Sequence, residues 1–147
     1  MLYTTLEGLT GVMPFEKILQ CCDDYGTGAM DAEATANLEA VNDAAVLDIH
    51  LHCRGLYTLP FDPVPSEIQQ LTNELMKCHL YFRRATEEVP ESITLLYKRL
   101  LGSLKAITEN TFRIDAGDDE TAAEQGPQVT ETTQRFKQGF MGELLDD

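Results

Sequence analysis

From Val64 to Asn110 the hydrophobic positions fall into two helical stripes. Ile68, Leu71, Leu75, Cys78 and Phe82 are spaced 3, 4, 3 and 4 apart, and Ile93, Leu96, Tyr97, Leu100, Leu104 and Ile107 repeat the pattern. Such spacing lines one face of an α-helix. Arg83, Arg84, Glu87, Glu88 and Pro90 lie between the stripes. A helix does not run through Pro90, which lacks an N–H and crowds the preceding turn, but a new helix starts well there. The pattern predicts a helical hairpin with a charged corner.

Upstream, Leu2, Leu6 and Leu9 mark one helical turn over residues 4–9. Pro14 opens a short helix over 15–22 with Phe15, Ile18, Leu19 and Cys22 facing inward. Asp23 to Asp31 is a glycine-bearing turn, and Asp31 is a good N-cap. Residues 31–53 form a long alanine-rich helix whose stripe is Leu38, Val41, Ala45, Ile49 and Cys53, ended by Gly55 as a left-handed C-cap. Pro60, Pro63 and Pro65 make 56–65 an extended connector. Ser66 with Glu67 and Gln69 resembles a capping box for the helix that follows. The fold class is therefore mainly α, a small bundle of three to four helices over residues 1–110.

Residues 111–147 differ in character. From Asp115 onward there are nine acidic residues against two basic ones, half of the net charge of −14. Residues 116–126 read as an acidic linker. Then Arg135, Phe136, Phe140, Met141, Leu144 and Leu145 gather into an amphipathic patch, the mark of an extended C-terminal docking arm; folding back onto its own domain is the other reading.

Charge narrows the function classes. With 25 acidic and 11 basic residues, the chain lacks the clustered cations of a general nucleic-acid grip, and suits a basic protein partner. No apolar run approaches the ~20 residues of a membrane span, and no secretory leader is visible. Cys21, Cys22, Cys53 and Cys78 are expected as reduced thiols.

Candidate chemistry is sparse. Asp23 and Asp31 are the metal candidates: counting from Asp23, Gly28 falls at position 6 of a calcium loop and Asp31 at position 9. Tyr25, Thr27 and Ala34 stand where carboxylates belong, so a plain helix-to-helix turn fits better. His50, His52 and Cys53, and the pair Cys78 and His79, lack zinc-site spacing. No nucleophile elbow or phosphate loop is present, so no catalytic residue and no cofactor is expected. Arg83, Arg84, Glu87 and Glu88 are candidate intersubunit contacts.

The landmark order carries a resemblance. Asp23, Gly26, Gly28 and Asp31 precede Arg54-Gly55-Leu56-Tyr57-Thr58-Leu59-Pro60; Val64-Pro65 opens a helix ending in Tyr81-Phe82-Arg83-Arg84-Ala85-Thr86-Glu87-Glu88-Val89. Over about residues 1–110, and more weakly at Arg135-Phe136, the chain resembles the small neck proteins of Mu-like phages and prophages. It departs from them in its Asp turn, which in that family is more like an acidic calcium loop. The resemblance implies a non-enzymatic virion protein of the neck, assembled in the host cytoplasm. It implies a head-completion adaptor that forms a ring, a dodecamer matching the portal, and joins head to tail. Its partners are then the portal protein, other copies of itself and a downstream neck or tail protein, while DNA passes through without specific binding and no membrane is involved. The alternatives are a stopper or tail terminator, which are commonly rich in strands, and a small metal-responsive module built on the Asp23–Asp31 turn.

Overall fold

The computed structural model describes residues 1–84, 88–110 and 113–114. Five helical segments follow one another: α1 (Leu6–Leu9), α2 (Phe15–Cys22), α3 (Ala32–Cys53), α4 (Ser66–Arg83) and α5 (Glu91–Thr108). No strand occurs among the described residues. α1 is a single turn; the other four make the bundle. At ~1.5 Å per residue α3 is about 33 Å long, and α2, α4 and α5 all pack against it.

The stripes read from sequence are the core. Ile68, Leu71, Leu75 and Cys78 of α4 meet Leu38, Val41, Ala45, Ile49 and Cys53 of α3, with Ile93, Leu100, Leu104 and Ile107 of α5 closing the third side. Phe82, Leu96 and Tyr97 are partly buried at its margin. Truncating a fully buried leucine such as Leu75 or Leu104 to alanine removes transfer energy and leaves a cavity, typically ~2–5 kcal/mol.

Helix ends follow local chemistry, with three departures from expectation. Asp31 caps α3 by accepting the Ala34 N–H at 2.9 Å, and Pro90 precedes α5 as its N-cap. Gly55 is not left-handed: Arg54 stays helical at φ −59°, and the N–H groups of Leu56 and Tyr57 both turn back onto the Cys53 carbonyl. The left-handed residue after a helix is instead Asn110, at φ 59°, whose amide side chain tolerates that region. Ser66 is the first residue of α4 rather than its cap, a place taken by Pro65, which has no side-chain acceptor to offer. Phe15 is 43% exposed, because Cys21 rather than Phe15 completes the inner face of α2 with Ile18 and Cys22.

The N-terminal lead is part of the core. Tyr3 is buried at φ 73°, a costly conformation for a residue with a Cβ. Asn42 on α3 holds the backbone of Leu2 beside it. Tyr3 also reaches the connector: its hydroxyl accepts the Phe61 N–H at 2.9 Å and lies 2.6 Å from His50 Nε2. The Phe61 bond occupies the oxygen as acceptor, so the hydroxyl proton is free to go to a neutral His50. Packing continues past residue 110, since Ile114 is buried and its N–H donates to Tyr57 Oη at 2.7 Å.

Candidate functional site: the corner between α4 and α5

Arg83 ends α4 and reaches back to the turn after α2. Its guanidinium donates to both oxygens of Asp24, at 2.7 and 2.5 Å, and to the Cys21 carbonyl at 2.8 Å. Asn37 of α3 joins from the other side, bonding Asp24 Oδ2 at 3.2 Å and the Cys22 carbonyl at 2.9 Å. A forked, charge-assisted pair fixes direction as well as distance. Three elements are thus tied at one point. The Arg83 hydrogen bond holds Asp24 below the usual carboxylate range, and Asp24 in turn raises Arg83.

Beside this brace is a cleft of about 390 Å³ lined by Lys17, Gln20 and Cys21 of α2, Tyr81 and Arg84 at the end of α4, and Glu88, Val89 and Pro90 before α5. The Lys17 ammonium lies 5.3 Å from the centre of the Tyr81 ring, a cation–π arrangement. Arg84 stands 3.8 Å from Asp24 Oδ1, too long for a hydrogen bond. Cys21 is buried at the cleft wall. Desolvation pushes its pKa up, against the pull of Lys17, Arg84 and Arg83, so it is not an activated nucleophile.

Of the intersubunit candidates, Arg83 is committed to Asp24, while Arg84 and Glu88 are exposed on the cleft. Glu87 lies outside the described residues, as do the arm residues Arg135, Phe136, Phe140, Met141, Leu144 and Leu145. The structure thus gives Arg83 a partner 59 positions away in the chain.

Asp23 and Asp31 come close together but serve the turn itself. Asp23 Oδ1 accepts the Thr27 N–H at 3.0 Å and Oδ2 the Gly28 N–H at 2.8 Å. The Thr27 hydroxyl lies 3.0 Å from Asp31 Oδ2, and Asp31 Oδ1 is the α3 cap. Gly26 and Gly28 supply the positive φ, 70° and 75°, that the tight path needs. The backbone bonds from Gly28 and Thr27 lower the Asp23 pKa. Among the described residues no three His, Cys, Asp or Glu side chains are grouped to hold a metal ion.

The histidines go to separate places. His50 binds Tyr3, His52 Nδ1 lies 2.8 Å from the Asp48 carbonyl, and His79 Nε2 is 2.9 Å from Asp48 Oδ2. His79, Phe82 and Tyr97 stack edge to face, which locks α4 to α5 next to α3. All four cysteines are free and buried. Burial pushes the pKa of Cys22 to about 11, of Cys53 to about 12 and of Cys78 to about 11.

With the geometry in place, the comparison with known proteins decides the family. The family model described as Bacteriophage Mu, Gp36 matches residues 3–132. The chain belongs to this family. It is a protein of Mu-like phages, of the structural and morphogenetic kind. The match runs beyond the helical bundle into the acidic segment. No curated protein and no solved structure matched the chain. Among the described residues no helix is long and apolar enough to cross a membrane.

Proposed function

We propose that this protein is the head-completion adaptor of a Mu-like phage neck, a ring of copies below the portal that joins head to tail. The observation that carries the reading is the braced corner. Arg83, Asp24 and Asn37 fix the ends of α2 and α4 to the start of α3, and so hold a cleft with two cationic side chains, the half-buried Lys17 and the exposed Arg84, in a defined place on an acidic chain. A ring contact is heterologous, one face meeting a different face of the next copy, and needs a rigid platform on one side. Family membership supplies the phage context, and the all-helical bundle fits an adaptor better than a strand-rich stopper or tail terminator.

In this reading the chain works without catalysis. The helices give a rigid body, and the segment bearing Arg135, Phe136, Phe140, Met141, Leu144 and Leu145 reaches the portal or a neighbouring copy. With a net charge of −14, a ring of copies repels the DNA that passes through it. Twelve copies would match the portal.

The test is particle mass, measured for the protein alone and with purified portal of the same phage. A monomer alone that becomes a ring on the portal is the expected result. No portal complex, or one bound copy per portal assembly, would sink the reading.

A further inference from the structure

Positive charge is scarce in this chain, yet Lys17, Arg83 and Arg84 meet at one corner. Arg83 is matched by Asp24. Arg84 reaches the same carboxylate only at ion-pair range, 3.8 Å from Asp24 Oδ1, because both Asp24 oxygens already accept from Arg83. Lys17 rests over Tyr81 with no carboxylate partner among the described residues. Glu88 lies on the cleft wall and offsets one of the two charges. Tyr81, Val89 and Pro90 give the same cleft apolar surface, and about 390 Å³ is the size of a pocket for a few side chains. The site fits a short acidic segment with aliphatic residues in it.

The chain itself contains such a segment. Residues 143–147 read Glu-Leu-Leu-Asp-Asp, three carboxylates around two leucines with no cation. We propose that the cleft between α2 and the α4–α5 corner receives residues 143–147 of a second copy, carboxylates on Lys17 and Arg84 and leucines against Tyr81, Val89 and Pro90. Two copies of so acidic a chain repel over most of their surfaces, so they approach best where cations meet an acidic segment. Reach is ample: the 29 positions from Ile114 to Glu143 extend to at most ~100 Å, well over the ~33 Å of α3. One copy's segment in the next copy's cleft is a head-to-tail contact, the kind that builds a ring when its rotation closes. The inference rests on the ring reading above and names the pair of surfaces that makes it.

The test uses full-length protein with a photo-crosslinking amino acid at the exposed, cleft-lining Gln20, mixed at high concentration with isotope-labelled copies that lack it. Crosslinks from unlabelled protein to labelled peptides carrying 143–147 are expected. Their yield should fall roughly tenfold in Lys17→Glu/Arg84→Glu, which removes two charge-assisted contacts. Adding Glu143→Lys/Asp146→Lys/Asp147→Lys to the same chain should restore it. Helix content and melting temperature of each variant establish that it folds. Crosslinks confined to a single copy, crosslinks onto other segments only, or a yield indifferent to charge reversal would each overturn the pairing. No portal is present, so that failure is separate from failure of the adaptor reading, which the portal mass measurement decides.

Discussion

Asn42, buried in the middle of α3, grips Leu2 through both atoms of its amide: Oδ1 accepts the Leu2 N–H at 3.0 Å and Nδ2 donates to the Leu2 carbonyl at 3.1 Å. A side chain thus does for the N-terminal lead what a neighbouring strand would do. Asn42→Ala leaves both groups of Leu2 without these partners and opens a gap beside Met76. The loss should be about 2–3 kcal/mol in denaturant melts, from unmade hydrogen bonds and lost packing. Limited proteolysis should then cut first within residues 1–13. An unchanged midpoint would show that the lead adds nothing to the fold.

The Tyr3–His50 pair gives a pH dependence. Burial lowers the His50 pKa below its ordinary 6.5, because the charged ring would be desolvated beside Tyr3. The unfolded chain then binds the proton first. Stability is full above about pH 6.5 and falls as the pH drops from there through the folded value, then levels off. His50→Gln should flatten that part of the curve. Tyr3→Phe removes the acceptor of the buried Phe61 N–H and should cost about 1–2 kcal/mol at neutral pH. A stability curve with the same slope in wild type and His50→Gln would refute the assignment.

Much of this fold was legible because it is periodic. The stripes of α3, α4 and α5 and the caps at Asp31 and Pro90 depend on residues within one turn of each other, where spacing carries the information. The features that were not legible join positions far apart. Asn42 left a trace, as an amide beside Val41 within a buried stripe, but nothing in the sequence tells that its partner is Leu2. Arg83 stood out only as part of a charged corner. The helix ends at Arg83, and a carboxylate after α2 takes its guanidinium, as only the packing of α2 on α4 could reveal. The cleft was half visible: Arg84 and Glu88 were singled out from the corner, while Lys17, Tyr81 and Cys21 reach it through tertiary packing alone.

The Arg83–Asp24 brace should appear as an acid-sensitive share of stability. Hydrogen bonding from Arg83 lowers Asp24 below its ordinary 3.8, so the contribution is present above that value and is lost as the pH falls through the depressed one. Arg83→Ala should lower the melting temperature at neutral pH, and the gap to wild type should close towards pH 3 and below. Arg83→Lys should recover only part of the loss, since an ammonium cannot make the forked contact. A gap that stays constant down to low pH would mean that Arg83 acts by packing alone.

The buried cysteines make a kinetic prediction. With Cys22, Cys53 and Cys78 raised to about 11, about 12 and about 11, almost no thiolate exists at pH 8, and all four sulfurs are shielded. Alkylation of the native protein should be far slower than of the denatured chain, with Cys21 modified first because it borders the cleft. Rapid labelling of Cys53 or Cys78 at neutral pH would contradict their place in the core.

The Asp23 turn separates shape from chemistry. Its two glycines and its aspartates follow a path that a calcium loop also takes, yet Asp23 is bonded to the Thr27 and Gly28 N–H groups and Asp31 to Ala34 N–H and the Thr27 hydroxyl. A cation would have to compete with those bonds and would find one carboxylate from each end of the turn, where tight calcium sites draw on several. Calorimetry with millimolar calcium should therefore give no binding heat. Asp23→Asn should destabilise the protein equally with and without the ion, because what is lost is a pair of charge-assisted bonds to the backbone. A calcium-dependent rise in melting temperature that Asp23→Asn abolishes would make the turn a metal site after all.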